Sequence, residues 1–314
     1  MDPFRDQIRI ESDLVYYGLA ADSMVRGKNP VMNGLPVVEN SIINKGGVLL
    51  NFFDLGYNGT FSYGISRSAD DYQGVLDIKP CNVKVRFPYT LKYQNKYLTF
   101  GWRYRGNDVE PCNVYLWSSA NGIDWTVENG GLPVLTKSSE PASIWFNIWN
   151  VAVAVDGSNN FHMIVECAPG GVDQKGVGLG YSTARMVDGK INFDPNRTQA
   201  HVINGGGNPY LYYSKKEDTL LAIHGIVHSS MNMFSSDYWW ITASYLNRAN
   251  HHWFTKPDKF SFGKSGIHVA DPHAEEVIVD NRLCSRIIFS YNQRYIYSLF
   301  VEGGLDDLLR RIMN

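Results

Sequence analysis

Val114-Tyr115-Leu116-Trp117-Ser118-Ser119, continuing as Ala120-Asn121-Gly122-Ile123-Asp124-Trp125, reads as a strand, a tight reversal and a returning aromatic. The first half is β-branched and aromatic, as strands are, and Asn-Gly is a strong local signal for turning a chain. Strands of the same kind recur at Tyr63–Ser68, Gly178–Thr183, Trp239–Ser244 and Tyr295–Leu299. Each has an apolar run before it: Leu49–Asp54, Tyr97–Arg103, Phe161–Glu166, Leu220–His224 and Arg286–Tyr291. Turn residues such as Asn44-Lys45-Gly46-Gly47 and Asp156-Gly157-Ser158-Asn159-Asn160 precede these runs. Tyr72, Phe193 and Trp253 are read as returning aromatics like Trp125.

Ahead of each pair stands an opener: Leu35-Pro36, Phe87-Pro88, Trp149-Asn150, Asn208-Pro209 and Asp271-Pro272. Successive openers lie about 50 to 63 residues apart, near the repeat length of propeller blades. One four-stranded sheet cannot bury both faces alone, whereas five in a ring can, around a central channel. The expectation is an all-β, five-bladed β-propeller of four-stranded antiparallel blades in a single domain. Residues 1–33 would close the ring, 34–302 would form the five repeats, and 303–314 a short C-terminal helix. That helix is read from Leu305–Met313, which puts acids first and bases last with leucines at helical spacing. It could dock on the propeller or on a protein partner.

Composition narrows the function. Of 314 residues, 13% are aromatic and 19% charged, with a formal net charge of -2, which gives no electrostatic footprint for nucleic acid. No apolar run is long enough to span a bilayer, so membrane insertion is not expected. Met1 to Ile10 is charged and lacks an apolar core, so no secretory leader is read and a cytoplasmic or virion-associated protein is expected. Cys81, Cys112, Cys167 and Cys284 lack metal-ligand spacing and are read as reduced thiols. The sequons at Asn58 and Asn196 matter only in a secretory pathway.

With its strand-turn-aromatic ending at Ser119–Trp125, repeated more loosely elsewhere, the chain resembles the five-bladed propeller glycosidases of glycoside hydrolase families 43 and 32 over roughly residues 34–302. The resemblance implies a glycan substrate in the central channel and three carboxylates around it. Two must flank the scissile bond, one protonating the leaving oxygen and the other activating water or attacking the sugar. The family's opening acids are absent here, because Leu35-Pro36, Phe87-Pro88 and Trp149-Asn150 stand in their places. The family triad therefore cannot be carried over.

A different polar set remains. Glu166 ends an otherwise apolar run, so its pKa would be raised as a general acid requires, or it is a solvated strand end. Asp271-Pro272-His273 is the best match to the family's Asp-Pro opener, and Asp271 could be base, metal ligand or turn. Asp54 is the third candidate acid. Arg103, His224 and His273 are candidate sugar-binding residues, and Trp149 and Tyr89 candidate stacking surfaces, although most propeller aromatics are core. His224 and His228 share a face if their strand is regular, yet no third metal ligand is evident. Gly176-Val177-Gly178-Leu179-Gly180 fails the dinucleotide fingerprint, and no Gly-x-Ser-x-Gly elbow occurs. No cofactor is required, and a structural divalent cation in the channel is compatible with the reading. Two functions stand side by side: a glycoside hydrolase-like enzyme, and a non-catalytic glycan-recognition or assembly propeller such as a viral particle component.

Overall fold

The computed structural model describes residues 15–17, 24–25, 32–33, 37–45, 48–55, 60–66, 76–105, 108–170, 177–194, 200–227, 239–263, 268–279, 281–291 and 295–314. Leu35-Pro36, Asn58, Tyr72, Asn196 and His228 lie outside them. Three short strands, β1 (Val15–Tyr17), β2 (Met24–Val25) and β3 (Met32–Asn33), precede the hairpin of β4 (Val37–Lys45) and β5 (Val48–Leu55). These are followed by β6 (Thr60–Ser66), β7 (Leu76–Tyr93), β8 (Lys96–Arg105), β9 (Asp108–Ser119) and β10 (Thr126–Val127). β4 to β10 form one seven-stranded antiparallel sheet. β7 serves twice in it: Leu76–Lys84 runs beside β6 and Val85–Tyr93 beside β8, so two four-stranded units share one long strand.

The second sheet contains β11 (Asn147–Val155), β12 (Asn160–Ala168), β13 (Gly178–Val187), β14 (Lys190–Ile191) and β15 (Ile203–Asn204). The third contains β16 (Gly206–Ser214), β17 (Thr219–Val227), β18 (Trp239–Asn247), β19 (His252–Thr255) and β20 (Ser261–Gly263), with β1 added on β20. The last contains β21 (Val269–Val279), β22 (Arg282–Tyr291) and β23 (Tyr295–Glu302), with β2 and β3 added on β23. Their leading strands pack in a closed order, β4 on β7, β7 on β11, β11 on β16, β16 on β21, and β21 back on β4.

Strands with both faces covered need apolar residues on both faces, which is why the second strands read as unbroken apolar runs. Phe52 and Phe53, Met163 to Val165, Leu221 to Ile223 and Ile287 to Phe289 are all buried. The leading strands differ in one respect. Each has a register shift, between Val38 and Asn40, Arg86 and Tyr89, Ile148 and Val151, Gly207 and Tyr210, and Ala270 and His273. Four of the five sequence openers are thus bulges inside strands rather than strand starts, and in the first sheet the bulge falls on Glu39. Phe87, Asn208 and Asp271 take left-handed backbone there, with φ of 52°, 46° and 52°. Proline suits the next position because a bulge residue is excused from the ladder.

Trp125 is buried at 3% exposure, edge-on to Phe52 and Phe61, and its indole donates to Gly122 O at 3.1 Å. The turn that returns it is held by Asn121 Oδ1, which accepts the N–H groups of Ile123 and Asp124 at 2.9 Å. Gly122 takes φ of 82° against the Phe52 ring. The C-terminal helix α1 (Leu305–Met313) buries Leu305, Leu308, Leu309 and Ile312 against the chain's own sheets. Asp307 accepts the Gly304 N–H at its start, and Arg310 and Arg311 sit in its last turn. None of the four cysteines forms a disulfide. Among the described residues no helix is long and apolar enough to cross a membrane.

Candidate functional site

The bulges build the site. Glu166 of β12 lies opposite the bulge of β11, between the Ile148–Cys167 and Val151–Val165 pairs. The extra residues free the Asn150 amide, and Asn150 Nδ2 donates to Glu166 Oε2 at 2.9 Å. The same oxygen accepts the backbone N–H of Asn208, from the bulge of β16, at 3.0 Å. Asn208 Nδ2 in turn donates to Asp271 Oδ1, from the bulge of β21. One chain of hydrogen bonds therefore runs Asn150, Glu166, Asn208, Asp271 across three sheets. Asn150 Oδ1 is buried with no hydrogen-bond partner among the described residues, an acceptor open to a donor.

Packing decides the electrostatics of Glu166. Glu166 as a residue is half-buried, and burial pushes its carboxyl up to about 7. The Asn208 N–H pulls it down, the nearby Asp271 charge pushes it up, and the Asn150 amide pulls it down. A carboxyl poised there can hold a proton near neutrality and give it up.

Two glycines let an aromatic approach. A Cβ on Gly207 would stand 2.7 Å from the Trp239 ring and 3.2 Å from Glu166 Cδ, and one on Gly225 2.7 Å from the same indole. Trp239 is half-buried, so beside the carboxyl it offers a flat apolar surface. Trp149, half-buried in the β11 bulge next to Asn150, is a second such surface.

The other candidates are distributed around this chain. His273 follows the β21 bulge but turns to the interior, where its Nε2 accepts the Ile42 N–H at 3.4 Å. Its ring lies 4.6 Å from that of Tyr210 and 6.1 Å from that of Tyr89, and burial pushes its pKa down to about 3, so it is neutral. Tyr89 donates its hydroxyl to Leu211 O at 3.3 Å. Three leading strands thus fill the interior next to the acids with uncharged rings. Asp54 is fully buried on β5, 3.8 Å from Arg86, whose guanidinium lies over Phe87. Arg103 is held within the β8–β9 unit, donating to Gly131 O at 2.9 Å and lying over the Tyr115 ring. His224 is buried, with Nδ1 at 2.9 Å from Gly225 O and Nε2 at 2.8 Å from Ser244 Oγ; burial lowers its pKa to about 4. The structure brings Glu166 and Asp271 together, with Trp149 alongside; Asp54, Arg103 and His224 engage other partners.

Sequence reading does not single out Asn150, Asn208 or Trp239 as candidate site residues. For the two asparagines the signal was present, since both stand in openers. Among the described residues no group of three His, Cys, Asp or Glu side chains could hold a metal ion.

No family model matches the chain, and no curated protein matches its sequence. Solved structures do match. A thermostable family-43 glycoside hydrolase aligns with a TM-score of 0.57 at 9% identity, covering 84% of this chain and 88% of that one. A mannose phosphorylase from Leishmania mexicana, in complex with phosphate ion, aligns at 0.56 and 9% identity, covering 88% and 86%. The catalytic domain of a Coprinopsis cinerea family-62 α-L-arabinofuranosidase aligns at 0.51 and 12% identity, covering 88% and 96%. The chain thus has a glycoside hydrolase-like, all-β fold, and its resemblance to family 43 holds at that level. Hydrolases and a phosphorylase share the architecture, so the reaction must be argued from the site.

Proposed function

We propose that the chain is a five-bladed propeller that takes a glycan at the bulged ends of β11, β16 and β21 and cleaves a glycosidic bond. The observation that carries this is the pairing of Glu166 and Asp271 through a single residue, Asn208. The closed packing order of the five leading strands supports the blade count. In this reading Glu166 is the general acid. It protonates the leaving oxygen, and the pair of electrons from the broken C–O bond stays on that oxygen. Asp271 is the second carboxylate, activating water or attacking the anomeric carbon. Asn208 sets the orientation of both, while Trp239 and Trp149 stack on sugar rings.

General-acid assistance matters most when the leaving group is poor. Glu166→Gln should therefore lose turnover of natural oligosaccharides by about 10²–10⁴-fold and retain more of it on dinitrophenyl glycosides, whose leaving group needs no proton. Asp271→Asn should lose both. Equal losses on both substrates in Glu166→Gln would remove the acid role. A non-catalytic recognition or assembly propeller is the second reading, favoured by Phe87 and Trp149 at bulges where the resembled enzymes carry acids. Glycan binding without turnover by the intact chain would select it.

A further inference from the structure

A second polar cleft lies at the opposite end of the same strands. Beyond Val155 the chain turns through Asp156 to Asn160, and Asp156, Asn160, His162, Thr183, Arg185 and Arg248 line a cavity of about 470 Å³. That is the size of a small-molecule site.

Its floor is tightly built. Asp156 Oδ1 accepts the N–H groups of Ser158 at 2.8 Å and Asn160 at 2.9 Å. Oδ2 accepts Asn160 Nδ2 at 2.7 Å and lies 3.1 Å from His162 Nε2. Burial would raise this carboxyl, but the four donors outweigh it and hold it at about 2. An ionised Asp156 fixes the imidazole tautomer. His162 Nε2 carries the proton, so Nδ1 accepts the Tyr181 hydroxyl at 2.6 Å. Burial disfavours a second proton on the ring. Asp156, which lines the cleft, is thus saturated from within, and the imidazole beside it is neutral.

The walls carry the available charge. Arg185, on β13, donates its Nε to Asn160 Oδ1 at 2.5 Å, and among the described residues no carboxylate lies within ion-pair distance of it. Arg248, from the turn between β18 and β19, reaches the cleft from the neighbouring sheet while pairing with Asp218 at its exposed edge. Guanidinium forks match the paired oxygens of carboxylates and phosphates. We propose that this cleft is a second binding site, distinct from the Glu166 site, for a small sugar-sized ligand bearing a carboxylate or phosphate group.

The test is titration calorimetry on the intact chain with D-glucuronate and inorganic phosphate, using D-glucose as the neutral control. Glucuronate, phosphate or both should bind, more weakly as salt is added, and glucose should not. Tighter glucuronate binding would identify an acidic sugar, and tighter phosphate binding a phosphorylated ligand. Arg185→Gln, at an exposed position, should weaken binding at least tenfold, with Arg248→Gln adding to the loss. Glu166→Gln should leave it unchanged, which separates this site from the proposed acid. The proposal fails if neither anion binds, if glucose binds equally well, or if the double arginine variant binds undiminished.

Discussion

Glu166 is held where its charge is costly. Its folded pKa of about 7 lies above the ordinary value of 4.5, so between those values the folded state binds more protons than the unfolded one. Stability contributed by this group is present at low pH and falls as pH rises from 4.5 to 7. Glu275, raised to about 7 by burial against the pull of Arg286, slopes the same way. Glu166→Gln should thus be more stable than the parent at pH 8, by roughly 1–3 kcal/mol, and no different near pH 4; thermal melts at the two values check it. On the proposed function, turnover should fall as pH rises through about 7, because Glu166 must be protonated to act as the general acid. Gly207→Ala should misplace Trp239 or Glu166 and depress activity, readable as a changed indole fluorescence beside the lost turnover. Glu166 could be singled out in the sequence because it is a lone carboxyl ending an apolar run. Trp239 could not, because its place beside that carboxyl depends on two glycines in other strands.

The strand with an internal bulge is the element that makes a site here. Apolar runs and turn residues revealed the second and third strands, since strands covered on both faces must be apolar throughout. The leading strands were harder to bound: proline after Phe87, Asn208 and Asp271 reads locally as a strand start, although it marks the residue a bulge excuses from pairing. Which bulges meet is a tertiary matter, and the Asn208 link between Glu166 and Asp271 spans residues far apart in the chain. The turn at Asn121-Gly122 was local enough to read outright. Trp125→Ala should destabilise by about 3–5 kcal/mol, since the ring is buried against Phe52 and Phe61; denaturant unfolding with an unchanged midpoint would contradict that packing.

At the scale of the whole molecule, α1 packs on β16, β18, β21 and β22, so it braces the third sheet against the last. Leu309→Ala should cost about 2–5 kcal/mol, measured by thermal or denaturant unfolding, because the side chain is fully buried. The all-β architecture was legible in the sequence, while identities of 9–12% to the structures described show how little of its sequence that architecture fixes. In the proposed function the chemistry therefore rests on the bulges that bring Glu166 and Asp271 together. The most direct measurement is release of reducing ends from a broad oligosaccharide panel at pH 6, by the intact chain and by Glu166→Gln. We expect turnover of at least one glycan by the intact chain, and its loss with retained binding in the variant. Equal turnover by both proteins, or binding without turnover by the intact chain, would contradict catalysis by Glu166.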